Sequence, residues 1–302
     1  MKAIEVRELR KDYGSVRAVD GLTFHVDDGE VYARPGENGA GKSTTVEILE
    51  GHRTRTSGDV AVLGQDPDRA GRDLRDRIGI VLQSSGVEHE LSVREAVSIY
   101  GSCYSRRRPV AEVVELVGLT PQLERRVGHL SGGQRRRLDL ALGIVGTPSL
   151  LFLDEPTTGF DPAARRQAWE LVRELCAEGT TVLLTTHYLD EAEHLADRVG
   201  VLAGGRLVAE GTPAELIGGS GTTVVRFDVP AASAADGLDA ILPAGAVRQG
   251  DRIEFATTTP TAAVHAVTGW AVAHGIELGG LAVNRPSLED VYLQLAADEA
   301  AS

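Results

Sequence analysis

The stretch Gly36-Glu37-Asn38-Gly39-Ala40-Gly41-Lys42-Ser43-Thr44 matches the spacing G-x-x-x-x-G-K-[ST]. Glycines at those positions let successive backbone N–H groups close around phosphate oxygens, and a helix opening at Ser43 turns its positive end toward them. In that arrangement Lys42 reaches the β- and γ-phosphates of a nucleotide, and the Ser43 hydroxyl ligates Mg²⁺. A second stretch, Leu151-Phe152-Leu153-Asp154-Glu155, is an apolar run ending in two carboxylates. Strand ends of this kind gather ligands at the carboxyl edge of an α/β sheet. Asp154 is expected to hold Mg²⁺ through water, and Glu155 to polarise an attacking water. A third, Leu130-Ser131-Gly132-Gly133-Gln134, puts a serine and two glycines at the start of a helix expected over 135–144. That is a second anion-binding helix start. One triphosphate needs one such cradle, so a second implies a composite site.

The elements that must carry these groups follow from periodicity. Residues 4–9 and 22–26 read as short strands joined by a turn over 12–15, and 31–34 leads into the glycine loop. A helix is expected over 43–50, with further strands at 60–63 and 78–83. From Ser92 to about Arg126 the pattern is helical. Ser92 and Glu95 form a capping box, and Pro109 suits the first turn of a second helix. Residues 150–153 and 181–186 are continuous apolar runs of the kind buried on both faces of a parallel sheet. Strands alternating with helices give an α/β core with a helical insertion over about 84–145. The segment Ile217-Gly218-Gly219-Ser220-Gly221 reads as a flexible linker. Beyond it, strands at 224–229, on both sides of Gly250-Asp251 and near 281–284 alternate with helices at 234–241, 261–274 and from Ser287. That β-α-β-β-α-β order suggests a small α+β, ferredoxin-like domain. The expected division is 1–217 and 222–302.

Composition narrows the partners. The chain has 302 residues, 42% hydrophobic and 25% charged, with a formal net charge of −13. An acidic balance argues against nucleic acid, whose binding rests on neutralising phosphates. Two cysteines, Cys103 and Cys176, fit a reducing compartment without a disulfide framework. No run approaches the roughly 20 apolar residues of a membrane span. If the protein works at a membrane, another chain must cross it. The runs Arg106–Arg108 and Arg135–Arg137 read as solvated helix faces.

Set between the phosphate loop and the Asp154-Glu155 strand end, LSGGQ at 130–134 resembles the signature of the ATP-binding subunits of ATP-binding-cassette (ABC) transporters, over residues 1 to about 216. The resemblance implies a P-loop cassette with a mixed-sheet core, an N-terminal antiparallel β part and a helical insertion, using ATP and Mg²⁺. It implies that Tyr13 stacks on adenine and that Gln83 senses Mg²⁺ and the membrane partner. Gly159-Phe160-Asp161 matches the loop that contacts the opposite subunit, and His187 the histidine at the γ-phosphate. Phosphate contacts fall on Gly36 through Thr44 and, from the other subunit, on Ser131, Gly132, Gly133 and Gln134. Metal contacts fall on Ser43, Gln83 and Asp154, and catalysis on Glu155, His187 and Gln83. FLDEPTTGFDP at 152–162, the run 134–139 and the tail PSLEDVYL at 286–293 look like daunorubicin-type multidrug exporter subunits. That group implies a homodimer with ATP at its interface and a separate transmembrane permease. It also implies a hydrophobic small-molecule cargo and a place at the cytoplasmic face of the cell membrane. An importer ATPase, a lipid or polysaccharide exporter and a soluble ABC ATPase stay open. Arg34-Pro35, where the strand before the loop should be aliphatic, adds a fourth possibility, a cassette that no longer hydrolyses. The expectation from the intact loop is that ATP still binds, from a strained and less stable core.

Overall fold

The computed structural model describes residues 2–36, 41–82, 86–219, 221–229, 237–243 and 245–292. In chain order, β1 (Lys2–Tyr13) and β2 (Val16–Asp27) form a hairpin, β3 (Val31–Pro35) leads toward α1 (Lys42–Leu49), and β4 (Ser57–Val62) returns to pair with β1. After α2 (Arg72–Arg75) and β5 (Ile78–Val81) comes the helical stretch α3 (Val93–Gly101), α4 (Val110–Leu116) and α5 (Gly132–Ile144). Then follow β6 (Leu150–Asp154), α6 (Pro162–Ala177), β7 (Thr181–Thr186), α7 (Leu189–Leu195), β8 (Arg198–Ala203) and β9 (Arg206–Gly211).

The apolar runs behave as their composition dictates. β6 is buried up to Asp154 and β7 along its whole length. They are neighbours in a six-stranded sheet ordered β5-β6-β7-β3-β8-β9. All neighbours in it are parallel except β8 and β9, which pair antiparallel. Strands β2-β1-β4 form a separate antiparallel sheet. One apolar cluster joins the two: Ile4, Leu9, Phe24 and Val62 pack with Phe152, Leu183 and Leu202. The α/β core, the antiparallel N-terminal part and the helical insertion are therefore as expected. β1 and β2 are longer than expected, at 12 residues each, because bulges between Val6 and Asp12 let the pairing continue past irregular positions. The Ser92–Glu95 capping box is present, while Pro109 is the N-cap residue of α4 and not its first turn.

The chain divides into two compact units between Pro213 and Ala214. The expected linker is a correction: α8 (Pro213–Gly219) runs through Ile217, Gly218 and Gly219. Helical hydrogen bonds are available there, and two glycines weaken a helix end without forbidding it. The second unit contains β10 (Thr223–Asp228), α9 (Leu238–Ile241), β11 (Val247–Gln249), β12 (Arg252–Thr257), α10 (Pro260–Ala273) and β13 (Gly279–Asn284); residues 288–292 are helical. Its sheet is antiparallel in the order β11-β12-β10-β13, the ferredoxin-like arrangement. Val225, Phe227, Ile253 and Phe255 line one face of it and pack with Val267 and Trp270 of α10.

Arg34 is the anomaly of the core. Tyr32 and Arg34 share the face of β3 that meets β2: Phe24 stacks on the Tyr32 ring at 5.5 Å, and the Arg34 guanidinium lies 4.7 Å from the Phe24 centroid. Arg34 is fully buried, and Nη1 and Nη2 have no hydrogen-bond partner among the described residues. Burial pulls its pKa down to about 10, so the charge is present at neutral pH. The expected Glu37 partner lies outside the described residues. Pro35 is better accommodated. It is the last residue of β3, and pairing to β8 has already ended at Ala33. A buried, unpaired charge costs several kcal/mol, against which a desolvated cation–π stack returns about 2 kcal/mol or somewhat more. Replacing Arg34 and Pro35 together by leucine is therefore expected to raise the melting temperature by on the order of 5 °C, read by differential scanning calorimetry. An unchanged or lower value would mean that the Phe24 stack outweighs the desolvation.

Candidate active site

β3, β6 and β7 end side by side, and the chemistry-bearing residues emerge at those ends. Gly41 is the N-cap of α1 at φ 84. A side chain there would be strained by the backbone and would put its Cβ 2.4 Å from the Ala18 carbonyl. Lys42 is buried and its Nζ donates to the Gly36 carbonyl. Burial lowers its pKa, with Arg34 adding to the effect and Glu155 and Asp154 opposing it. Lys42 thus sits within electrostatic reach of both carboxylates. Ser43 is exposed and Thr44 half-buried at the start of the helix. Thr45 turns back to the loop, donating from Oγ1 to the Gly41 carbonyl at 2.8 Å.

Asp154 closes β6. Its Oδ1 accepts from the Thr185 hydroxyl of β7, which orients the carboxylate. Glu155 then leaves the sheet at φ 49, a left-handed backbone that costs a non-glycine residue about 1–3 kcal/mol. Its N–H donates to the Thr185 carbonyl at 2.9 Å. The turn swings the Glu155 side chain toward His187, just past β7, with Oε1 3.1 Å from Nδ1. The His187 ring packs on Tyr188 at 3.9 Å. A carboxylate fixed by a histidine beside a buried lysine can accept a proton from water and surround a phosphoryl group with charge.

The structure brings Gly36, Lys42, Asp154, Glu155 and His187 to one edge. The expected positions Glu37, Asn38, Gly39, Ala40 and Gln83 lie outside the described residues. Ser131 and Gln134 form a capping box at the start of α5: Gln134 N donates to Ser131 Oγ at 3.3 Å, and Ser131 N to Gln134 Oε1 at 3.0 Å. A Cβ added at Gly132 or Gly133 would meet nothing within 4 Å. Tyr13 is 40% exposed at the end of β1, with Lys11 and Arg53 over its ring at 5.1 and 5.3 Å. Asp161 caps α6, accepting from the Ala163 and Ala164 amides at 2.9 Å, which lowers its pKa. Phe160 is buried against Ala164 and Ala168. The donor set suits Mg²⁺. Asp154 and Ser43 offer hard oxygens, and Mg²⁺ is typically held by one or two protein groups together with substrate phosphates. Among the described residues no cluster of three or more His, Cys, Asp or Glu could hold a metal by itself.

The arginine run is the main correction. Arg136 is not a solvated residue. It is 6% exposed and donates to backbone carbonyls around the carboxylate turn. Its signal was present: Arg136, Asp139, Leu140 and Gly143 recur at helical spacing and are buried together. Thr185 was missed too, since its hydroxyl partner depends on which strand neighbours β6.

A loop-to-helix phosphate cradle, a carboxylate turn and a capped glycine helix start, carried on this sheet order, make an ATP-binding cassette. The "ABC transporter" family model matches residues 19–158, and "ABC transporter domain-containing protein-like, C-terminal domain" matches 223–287. Daunorubicin resistance ATP-binding protein DrrA2 of Streptomyces coeruleorubidus is 38% identical over 97% of this chain and 94% of its own length. Daunorubicin/doxorubicin resistance ATP-binding protein DrrA of Streptomyces peucetius is 39% identical over 99% and 94%. Nod factor export ATP-binding protein I of Paraburkholderia xenovorans is 42% identical over 71% and 72%. Among solved structures, an ATP-binding subunit of an ABC transporter aligns at TM-score 0.67 and 28% identity, over 72% of this chain and 93% of that one. CbiO1 from Clostridium perfringens aligns at 0.64 and 29%, over 72% and 92%. The chain belongs to the ATP-binding subunits of ABC transporters, a family of ATPases.

Behind Asp154 lies a second buried carboxyl. Glu50, with its side chain 1% exposed, has Oε2 3.2 Å from His52 Nδ1, and its Oε1 has no partner among the described residues. Burial first, then Asp154 and Glu47, push its pKa up to about 8. A groove of about 310 Å³ opens beside it, lined by Arg75, Ile80, Leu82, Tyr100, Asp139 and Leu142 among others. The unfolded chain would hold this proton only below about 4.5. Between about 4.5 and about 8 the folded state therefore binds a proton that the unfolded state does not, and stability falls as pH rises through that window. Thermal unfolding between pH 5 and 8.5 is expected to show this decline in wild type and a shallower one in Glu50→Gln. Because the His52 imidazole contacts this carboxyl, His52→Asn is the control. Parallel declines in wild type and Glu50→Gln would remove Glu50 as the source.

Proposed function

We propose that this chain hydrolyses ATP to drive export of a hydrophobic drug-like compound through a separate membrane permease, from the cytoplasmic face of the membrane. Residues 1–217 form its nucleotide-binding domain and 222–302 an accessory domain. Likeness to the daunorubicin-resistance subunits across both domains supports the cargo class. No helix among the described residues is long and apolar enough to cross a membrane, which agrees with a permease on another chain. The observation that carries the chemistry is the Glu155 carboxylate held 3.1 Å from His187 at the edge of the sheet that also presents Lys42.

In this reading Gly36 to Thr44 wrap the phosphates and Lys42 neutralises the β- and γ-oxygens. Its lowered pKa recovers when anionic phosphate replaces the missing solvent. Tyr13 stacks on the adenine. Ser43, Gln83 and Asp154 hold Mg²⁺, which supplies charge neutralisation across the phosphates. Glu155 takes the proton of the attacking water as the water oxygen bonds to the γ-phosphorus; the bond from that phosphorus to the bridging oxygen breaks, ADP leaves with its electron pair, and inorganic phosphate is the other product. His187 keeps Glu155 aimed and meets the γ-phosphate. Such transfer depends on positioning and charge, with little covalent chemistry for the protein to perform. Ser131, Gly132, Gly133 and Gln134 act on the nucleotide of a second copy. Two-fold symmetry then makes two equivalent composite sites.

Glu155→Gln keeps the shape and removes the basic oxygen. Its kcat is expected to fall at least 100-fold, while ATP converts the chain to a stable dimer on size-exclusion chromatography with light scattering. A variant that stays monomeric with ATP, or turns over like wild type, would be incompatible with the role given to Glu155.

A further inference from the structure

Arg136 stands in the second turn of α5, two residues past the capping box, yet its contacts are elsewhere. Nε donates to the Pro156 carbonyl at 3.0 Å, and Nη2 to the carbonyls of Glu155 at 2.8 Å and Asp154 at 2.5 Å. Nη1 donates to the Leu82 carbonyl, at the exit of β5, and lies 3.8 Å from Asp139 Oδ2. One side chain thus fastens the start of α5, the end of β5 and the turn that carries both carboxylates. The turn needs such donors. Once Glu155 leaves the sheet at φ 49, the carbonyls of 154–156 are served by the guanidinium. A guanidinium offers five N–H groups in a rigid plane, whereas an ammonium offers three from one atom and cannot span these acceptors together.

We propose that Arg136 is a positioning residue for ATP hydrolysis, holding the Asp154–Glu155–Pro156 turn so that the Glu155 carboxylate faces His187. Arg136 acts through Glu155, by holding the main-chain carbonyls of its turn. The inference rests on the ATPase reading above, and it assigns a role to an arginine inside what reads in the sequence as a solvated run. Arg136→Lys keeps the charge and loses the fork, so the carboxylate turn relaxes while the phosphate loop is untouched.

The test uses the full chain, with kcat and KM for ATP, affinity for the fluorescent analogue TNP-ATP, and thermal unfolding. Arg136→Lys is expected to lose kcat by about 30-fold or more, with KM and TNP-ATP affinity within threefold of wild type. In the Glu155→Gln background, where the base is already gone, adding Arg136→Lys is expected to lower the residual rate by less than threefold. A folded Arg136→Lys with kcat within threefold of wild type overturns the proposal. So does a loss of kcat matched by loss of TNP-ATP binding, or a full multiplicative effect on top of Glu155→Gln. Should Arg136→Lys not fold, Arg136→Gln, which donates from one amide without burying a charge, carries the same expectation. Failure of both to fold assigns Arg136 to the core alone and overturns the role. A wild type that neither binds TNP-ATP nor turns over ATP is a different outcome, and it removes the ATPase reading itself.

Discussion

Everything at the carboxyl edge of the sheet depends on how the chain leaves β6. Asp154 is still a strand residue, paired with Thr185; Glu155 is not, and its positive φ ends the ladder within one residue. A gentler exit would carry Glu155 along the strand direction, away from His187. The abrupt exit leaves peptide carbonyls without sheet partners, and polar groups in a buried place must be paired. Arg136 meets that demand from α5, while on the neighbouring strand the Thr185 carbonyl accepts the Glu155 N–H. The strained residue persists because its surroundings fix it, which is how such conformations survive at working sites.

Charge follows the same edge. Lys42, Asp154, Glu155 and Arg136 are coupled electrostatically, and burial lowers the pKa of both cations. Glu50 sits behind this layer with its carboxyl pushed toward the neutral form. Arg34 differs from the others because no carboxylate answers it among the described residues; an aromatic face does. Its charge faces β2 at Phe24, while Lys42 keeps its contact to Gly36 and feels Arg34 as the last of the influences on its pKa.

Much of this could be read from the sequence, and the failures have a common cause. Residues 150–153 and 181–186 declared buried parallel strands because their composition admits no solvated face. The phosphate loop and the Ser131 helix start were legible because backbone geometry near a phosphate demands glycine at fixed spacing. Arg34 was legible as an anomaly, but its resting place over Phe24 depends on two sheets packing face to face, which no local pattern reveals. Arg136 was misread because an arginine run looks the same whether its acceptors are water or carbonyls. The acceptors here come from residues 54 and 18 to 20 positions away and exist only once Glu155 has turned. The glycine-serine segment was read as linker from composition alone, yet α8 extends through Gly219, since composition sets the cost of a helix end and not its place.

In the proposed pair of subunits, α5 faces two ways. Its first turn is partly closed by its own capping box, which accounts for the N–H groups of Ser131 and Gln134. Those of Gly132 and Gly133 lie outside the box, at a helix start where four N–H groups lack intrahelical partners, and open space surrounds both glycines. An anion from a second copy would find donors and a positive helix end there. One turn further along, the same helix grips the carboxylate turn of its own chain through Arg136. A helix is stiff over two turns, so a shift of its tip toward or away from the partner's phosphate displaces the guanidinium and the carbonyls it holds. The grip consists of four hydrogen bonds to main-chain oxygens, so it does not depend directly on which side chains stand at Leu82, Asp154, Glu155 and Pro156.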